Sequence, residues 1–281
     1  MSEKLIDLHT HTTASDGTLT PAELVDRAVE KGLAAIAITD HDTIGGIKAA
    51  KQRIREISAP LELIPGIELS SNIPRYPSDI HVLGYGIDED DADLIHDLKT
   101  IVNNRDNQRI IDILKEEGVE ITLADVEETA YAGILTRANF GLTIARLGFA
   151  TDIKDAFRKY VGKGRPAYIP RAEISPHRAV EIILKNKGIP VLAHPFTYKM
   201  AEDELETLVS ELADRGLKGI ECYYSFYGDK EKDHIKTLAS RYGLFITGGS
   251  DFHGAVKPKI DLGSGPGDLE IPYELLAPLK Q

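Results

Sequence analysis

The chain is organised around the stretch LIDLHTHTTASDG, residues 5–17, which reads as a first strand and the loop after it. Its first four residues are apolar enough for a strand, and His9 and His11 alternate, so both side chains lie on the same side of that strand. Two imidazoles on one face at the carboxyl end of a strand form half of a metal site, and Asp16, in a turn with Gly17, can add a carboxylate. A lone His-x-His is more often a pair of packed histidines, so the interpretation depends on the later strands.

Composition limits the class of protein and its partners. The chain has 281 residues and a formal net charge of −12, which suits one large α/β domain or a domain with an insertion. The acidity argues against a broad nucleic-acid surface, so no duplex partner is expected, although a nucleotide can still be held locally. Cys222 is the only cysteine, which excludes disulfide scaffolding and cysteine-based zinc sites. No signal peptide or membrane-spanning run is found, so we expect a cytoplasmic protein without membrane contact.

Strands and helices alternate along much of the chain. Thr20 and Pro21 fit the cap and first position of a helix that ends near Lys31. The continuous apolar run at residues 33–38 fits a strand buried on both faces. Further strands are predicted at residues 61–64, 65–70, 79–86, 189–193, 219–222 and 244–247. Repeated βα units whose strands end in polar residues indicate a parallel barrel.

The pattern changes between residues 88 and 188, where strands become scarce and helical periodicity dominates. Helices are predicted over residues 92–117, 136–147 and 153–161. We therefore predict two units: a metal-binding barrel made of residues 1–87 and 189–281, and a helical insertion of residues 88–188 that caps it.

Histidines and carboxylates recur at the predicted strand ends. Six of the nine histidines lie there, namely His9, His11, His41, His81, His194 and His253. Four carboxylates accompany them: Asp16, Asp40, Glu68 and Asp251. Strand ends of a parallel barrel converge on one face, and this donor set suits Zn, Mn or Fe. So many ligands exceed the needs of one ion, and several metals favour phosphoryl or acyl hydrolysis. His96, His177 and His234 fall on predicted helices and are assigned to surface or packing.

Six ordered motifs resemble those of the PHP (polymerase and histidinol phosphatase) family. They are His9-Thr10-His11, Asp16-Gly17, Thr39-Asp40-His41-Asp42, Gly66-Ile67-Glu68, Ala193-His194-Pro195 and Ser250-Asp251-Phe252-His253. The match spans nearly the whole chain. The resemblance implies an α/β fold, a distorted (βα)7 parallel barrel, with a trinuclear metal site.

The resemblance also implies a ligand set for two to three divalent transition metals, Mn, Fe or Zn. One metal would be held by His9, His11, Glu68 and Asp251. A second would be held by Glu68, His81 and His194, and the third by Asp16, His41 and His253. Asp40 would orient ligands or relay a proton. The expected catalytic residues are therefore Asp40, His41, Glu68 and Asp251.

The helical insertion is similar to that of nucleoside 3′,5′-bisphosphate phosphatases and TrpH-like 5′-to-3′ exoribonucleases of the same family. This resemblance implies a metal-dependent phosphoesterase that hydrolyses phosphate monoesters of nucleotides, with a metal-bridged hydroxide as nucleophile. Its substrate would be a phosphorylated small molecule, either a nucleotide or a short oligonucleotide. Four basic residues of the insertion are expected to bind the end of the substrate distal to the metals: Arg105, Arg137, Arg158 and Lys159. The alternative for each of them is a solvated charge on the surface of a helix.

Other functions stay open at this point. They are a 5′-to-3′ exoribonuclease on short RNA, a histidinol-phosphate phosphatase, an amidohydrolase-like enzyme and a metal-binding regulatory module without activity. The full ligand set argues against the module, because binding alone does not need an open multinuclear site. Since the metals can engage one phosphate and the insertion another, we expect adenosine 3′,5′-bisphosphate to be preferred. Four aromatic residues near the barrel mouth either stack on a base or, for most of them, simply pack: Tyr198, Tyr223, Tyr224 and Phe226.

Overall fold

The computed structural model describes residues 4–76, 78–104, 106–169 and 174–280. Its centre is one seven-stranded sheet in which each strand pairs with the next along the chain. The strands are β1 (Ile6–Asp7), β2 (Ala35–Ile38), β3 (Glu62–Ser71), β4 (Ile80–Tyr85), β5 (Ile189–Leu192), β6 (Gly219–Tyr224) and β7 (Phe245–Gly249). The two predicted strands at residues 61–64 and 65–70 are thus one long strand, β3.

The first and last strands lie against each other and nearly close the sheet into a barrel. The backbone N–H of Leu8 donates to the Gly248 carbonyl over 3.1 Å, and that of Asp251 donates to the His9 carbonyl over 2.9 Å. A Cβ atom added to Gly249 would lie 2.1 Å from the Cβ of His9. Only glycine allows this close approach of the two backbones. The predicted α/β barrel is therefore confirmed.

One strand departs from the predicted parallel arrangement. β4 runs antiparallel to both β3 and β5, while the other strand pairs are parallel. The reason is the short connection of residues 72–79, because a parallel return needs a crossover of about a dozen residues or more. The reversal brings the beginning of β4 to the edge where its neighbours end, and His81 lies opposite Ser70 of β3. A histidine near the start of a strand thereby joins side chains from strand ends.

Helices surround the barrel and fill the connection between β4 and β5. They are α1 (Pro21–Glu30), α2 (Ile47–Ile57), α3 (Ala92–Val102), α4 (Asn107–Glu116), α5 (Leu123–Glu127), α6 (Arg137–Arg146), α7 (Ile153–Ala156), α8 (Pro176–Lys185), α9 (Glu202–Asp214) and α10 (Asp229–Tyr242). Thr20 caps α1 through a reciprocal capping box with Glu23, as its sequence predicts. The predicted helix at residues 92–117 is two helices, because Asp106 accepts from the Arg109 N–H and starts α4.

Apolar side chains form a core inside the barrel and a separate cluster within the chain segment that connects β4 to β5. The inner core includes Leu8, Leu83 and Tyr85, all fully buried. Residues 110–167 contribute a cluster of their own around Phe140 and Ile144. α3 and α8 instead pack in the same cluster as the outer faces of β3 and β4. The division into a barrel and an insertion at residues 88–188 stays a prediction.

In the described part of the chain, no helix combines the length and the apolar character that crossing a membrane requires.

Candidate metal centre

Glu68 lies at the centre of a histidine cluster. This carboxylate sits inside β3 and is fully buried. Its two oxygens face the rings of five histidines, at 3.3 Å for His9, 3.2 Å for His11, 3.1 Å for His41, 3.0 Å for His81 and 3.2 Å for His194. These residues come from the ends of β1, β2 and β5 and from the start of β4. The barrel thus brings five of the predicted ligands together around the carboxylate of Glu68.

Two further carboxylates extend the cluster on the side of β7. Asp251 Oδ1 lies 3.4 Å from Nε2 of His11 and 3.3 Å from Nδ1 of His253. Asp16 Oδ1 lies 3.2 Å from Nε2 of His253 and 3.7 Å from Nδ1 of His11. His11 therefore joins the Glu68 half of the cluster to the Asp16 half.

The donor set fits metal ions. All nine predicted ligands fall into four overlapping groups, within each of which the ligand atoms lie no more than 4.8 Å apart: His11, Asp16, His41 and His253; His9, His11 and Asp251; His9, Glu68 and His194; and His41, Glu68 and His81. Five buried atoms of these groups find no hydrogen-bond partner among the described residues, namely His9 Nε2, His11 Nε2, His41 Nδ1, Glu68 Oε2 and His81 Nδ1. Buried polar atoms are normally paired, so several convergent exceptions point to a cation. The division into three metals stays a prediction.

Burial and opposite charge pull on the pKa values of this cluster in opposite directions. Burial alone would raise the pKa of Glu68, but the charges of His9 and His81 hold it well below its usual value. Burial would likewise lower the pKa of His11, whereas the neighbouring carboxylates of Asp251 and Glu68 raise it to about 9. For His41 burial prevails and lowers the pKa to about 3. The cluster therefore keeps its carboxylates ionised, as metal ligands must be.

Glu221 is a site residue that sequence reasoning missed. It lies on β6, is fully buried and contacts His9 and the backbone of His194. A carboxylate that holds the outer nitrogen of a ligating histidine fixes the ring orientation. The signal was present, because Glu221 is a lone acid in the apolar run GIECYY, just as Glu68 is a lone acid in its own strand.

Asp40 holds the loop between the first two predicted ligand motifs. One oxygen accepts from the Thr12 N–H at 2.7 Å and the Ser15 hydroxyl at 2.6 Å, and the other accepts from the Thr12 hydroxyl at 2.7 Å. Gly17 closes the same loop, where an added Cβ would lie 2.4 Å from the His11 carbonyl oxygen. Asp40 is absent from the four ligand groups. Its predicted catalytic role stays a prediction, and its contacts are those of a residue that positions the Asp16 loop.

Two predicted ligands adopt left-handed backbone conformations. His194 has φ = 23° and Asp251 has φ = 58°. Non-glycine residues in this region cost about 1–3 kcal/mol each, and they persist where the surrounding structure imposes them, commonly at functional sites. Each residue lies two positions after the end of a barrel strand, β5 or β7, where the chain turns away from the sheet.

Lys257 and Tyr224 both contact Oδ2 of Asp251. The Lys257 ammonium lies 2.6 Å from Asp251 Oδ2, and the Tyr224 hydroxyl donates to the same oxygen at 3.0 Å. Lys257 is partly exposed, while Tyr224 is buried. Sequence reasoning did not find Lys257, because it lies in an irregular segment beyond the last motif.

A cavity of about 240 Å³ adjoins the cluster on the side of Asp16, His41 and His81. The connection between β4 and β5 supplies its far wall, including Arg137 and Lys163. The lining residues are Ser15, Asp16, His41, Asp42, Ser70, Asp79, His81, Thr136, Arg137, Ala138, Phe157, Lys163, Tyr168 and Ile169. Arg137 begins α6, as predicted, and its guanidinium stacks on the Tyr168 ring at 5.0 Å. Lys163 was not among the predicted residues.

The other predicted substrate-binding residues are placed differently. The side chains of Arg158 and Lys159 both pair with Asp155, the latter at 2.7 Å, and neither residue lines the cavity. Arg105 lies outside the described residues. The predicted contacts of these three residues with a substrate stay predictions.

Comparison with known proteins places this site in a family. A sequence profile of the PHP domain matches residues 7–215. A protein named 5′-3′ exoribonuclease Rnm, from Escherichia coli, is 34% identical over 92% of this chain and 88% of its own length. A protein named 3′,5′-nucleoside bisphosphate phosphatase, from Chromobacterium violaceum, is 30% identical over 92% of this chain and 90% of its own.

A solved structure is similar over almost the whole fold. It is described as a putative metal-dependent phosphoesterase from Bifidobacterium adolescentis, is 26% identical and covers 98% of this chain and 95% of its own, with a TM-score of 0.73. The described residues of this chain carry the histidine and carboxylate cluster on the same barrel. The chain therefore belongs to the PHP domain family, and it is an enzyme, a metal-dependent hydrolase of phosphoric esters.

Proposed function

We propose that this chain is a phosphatase that removes phosphate from nucleotides and prefers a nucleoside 3′,5′-bisphosphate. The observation that carries the proposal is a nine-residue donor cluster that opens into a cavity with two cations on its far wall. The cluster suits the reacting phosphate, and Arg137 and Lys163 suit another phosphate of the same substrate.

The nine ligands of the four groups would hold two to three divalent transition metals, with Glu68 shared between neighbouring positions. Bound there, such ions polarise phosphoryl oxygens and lower the pKa of a coordinated water. Manganese, iron and zinc all accept imidazole and carboxylate donors. The residues of the protein fix the geometry of the donors, since Asp40 holds the Asp16 loop and Glu221 holds His9 and His194.

The protein supplies no nucleophile of its own in this proposal. Cys222 is the only thiol, it is fully buried on β6, and burial raises its pKa to about 11. A thiol in that state is a poor nucleophile near neutral pH. Water is therefore the attacking group that the site favours.

Charge on the cavity wall supports a substrate with a second anionic group. The chain carries a net charge of −12, so cations that face the cluster attract a small anion locally, while a long polyanion meets repulsion elsewhere. Arg137 offers a planar fork for a phosphate, and its stacking on Tyr168 orients it. A bisphosphate satisfies both the cluster and the wall, whereas a monophosphate satisfies one of them.

A second candidate is trimming of short RNA from its 5′ end. It is favoured by the similarity to proteins named 5′-3′ exoribonuclease, which at 34% identity matches as much of this chain as the bisphosphate phosphatase does. Both reactions place a phosphate ester on the same cluster, but the exoribonuclease cleaves a phosphodiester of the RNA backbone, whereas the phosphatase cleaves a phosphate monoester.

One assay compares the candidates directly. The purified protein is given adenosine 3′,5′-bisphosphate, AMP, histidinol phosphate and a short 5′-phosphorylated RNA, and kcat/KM is measured for each. We expect the bisphosphate to give the highest value and chelation to abolish every activity. A highest value for histidinol phosphate would contradict the proposed substrate while leaving the metal centre intact. His9→Ala and Asp251→Ala should remove hydrolysis with little unfolding, and unchanged turnover at equal metal content would contradict their role as ligands.

A further inference from the structure

The loop that follows β6 exposes one aromatic ring at the edge of the cluster. Of the four aromatic residues near the mouth, Tyr198 is fully buried and bonded to the Ala193 carbonyl, and Tyr224 is 6% exposed. Tyr223 is only partly exposed and packs against apolar residues. Phe226 is 63% exposed, more than any other large apolar side chain in the described ranges.

The neighbours of Phe226 hold the loop so that the ring stays at this edge. The Ser225 hydroxyl donates to the carbonyl of Ser250, the residue before Asp251. Tyr227 accepts a hydrogen bond from the Phe196 N–H at 2.9 Å. Residues on both sides of Phe226 are therefore anchored to the barrel. The Phe226 ring is held in one position and still exposes apolar surface that a ligand could bury.

Phe226 lies one ring away from the predicted metal ligands. Its ring centroid is 6.0 Å from that of Tyr224. Tyr224 in turn donates to Asp251 and lies 5.4 Å from the His194 ring, centroid to centroid. The cavity with Arg137 borders Asp16, His41 and His81 instead. Phe226 thus flanks a part of the cluster that this cavity does not reach.

We propose that Phe226 is a specificity-determining residue on which the base of the substrate stacks. A nucleotide with its phosphate at the cluster carries its base about one ribose away from that phosphate, and a flat apolar face next to Tyr224 matches a base but not a second phosphate. Every base has a π-face, so such stacking is tolerant of sequence. The inference rests on the proposed nucleotide phosphatase function and adds the residue that distinguishes a nucleotide from a sugar phosphate.

Kinetics with two matched substrates test this assignment. One is adenosine 3′,5′-bisphosphate, and the other is the abasic 3′,5′-bisphosphate, which keeps both phosphates and lacks the base. Phe226→Ala should raise KM for the adenosine compound about tenfold and leave KM for the abasic one unchanged. Phe226→Tyr keeps an aromatic face and should restore the wild-type value. Equal changes in KM for both substrates, or no change for either, would overturn the role of Phe226. The proposed function would still stand in that case, because it is tested by hydrolysis of the nucleotide by the wild-type protein.

A fluorescence experiment provides a readout that does not depend on turnover. The chain contains no tryptophan, so Phe226→Trp introduces a single reporter. Stopped-flow mixing with adenosine 3′,5′-bisphosphate should quench its fluorescence before product forms, and the abasic compound should not. Val29→Trp, at an exposed position of α1, is the matched control and should respond to neither. Absence of quenching in Phe226→Trp under conditions where wild-type protein hydrolyses the nucleotide would contradict stacking. If wild-type protein hydrolyses no nucleotide, the proposed function fails first and this inference fails with it.

Discussion

His9 and Glu221 form a fully buried pair in which Nδ1 of the histidine lies 3.0 Å from Oε1 of the carboxylate. Because Glu221 occupies Nδ1, Nε2 is the nitrogen left for a metal, and it faces Glu68 at 3.3 Å. The other oxygen of Glu221 accepts from the His194 backbone N–H at 2.8 Å. One carboxylate thus positions two of the predicted ligands, from β1 and from the end of β5.

Glu221→Gln should weaken metal binding without unfolding the protein. The amide keeps the shape of the side chain but loses the charge that holds His9, and such partners are worth about 10- to 100-fold in metal affinity. Affinity is measured by competition with a chromophoric chelator, and folding by circular dichroism of the metal-free protein. The two measurements together separate a positioning role of Glu221 from a purely structural one. A positioning role predicts weaker metal binding while the unfolding midpoint of the metal-free protein stays unchanged.

Glu89→Gln is the matched control for this variant. Glu89 is also a buried glutamate, but it pairs with Lys51 at 2.7 Å, away from the described ligand groups. Its substitution should leave metal affinity unchanged. Equal metal affinity in Glu221→Gln and the wild-type protein would contradict the positioning role.

The fold and most of the donor set could be predicted because both depend on local pattern. A buried strand that ends in polar residues indicates a βα barrel wherever it recurs, and the motifs around His9, His41 and His194 each follow such an end. The direction of β4 could not be predicted in the same way, since it depends on the length of the connection between β3 and β4, which is too short for a parallel crossover. His81 nevertheless joins the cluster because an antiparallel strand begins where its neighbours end.

The missed residues share a different property. Lys163 and Lys257 lie in irregular segments, where no periodicity indicates which way a side chain points. Glu221 was missed because its role depends on the adjacent strand, which presents His194 to it. The break between α3 and α4 depends on the cap at Asp106, a local signal that continuous helical periodicity on both sides obscures.

Arg137→Lys should raise KM for the bisphosphate more than KM for AMP. Lysine keeps the charge but loses the planar fork and the stacking on Tyr168. A hydrogen bond to a charged group contributes about 1.5–3 kcal/mol, so we expect an increase of about tenfold or more for the substrate that uses it. Arg146→Lys serves as the control, because Arg146 lies in the last turn of the same helix, pairs with Glu128 at 2.9 Å and does not line the cavity. Equal KM values for wild type and Arg137→Lys on both substrates would remove Arg137 from the site.

Gly249→Ala should destabilise the barrel where it closes. The new methyl group would lie 2.1 Å from the Cβ and 2.4 Å from the backbone nitrogen of His9, so backbone atoms must move. We expect the free energy of unfolding, measured with urea, to fall by about 3 kcal/mol or more, which is the upper end of the range for substitutions that overpack a site. Gly118→Ala is a control for backbone strain alone, since its φ is +79° and no described atom lies within 4 Å of the added Cβ. That variant should lose only about 1–2 kcal/mol, and similar losses in both would contradict the steric argument.

Cys222 should be protected in the native protein and should link stability to alkaline pH. Burial raises the pKa of this thiol to about 11, whereas an exposed thiol in the unfolded chain has a pKa of about 8.5. Between these values the native state binds more protons than the unfolded state, so the free energy of unfolding falls as pH rises, and the stabilisation is complete only below the unfolded pKa. Cys222→Ser does not titrate there, and its unfolding free energy should fall less steeply between pH 8 and 11 when the two proteins are measured side by side. Alkylation with iodoacetamide at pH 8 should be slow in native protein and fast in urea, and rapid alkylation of the native protein would show that the thiol is neither buried nor protonated.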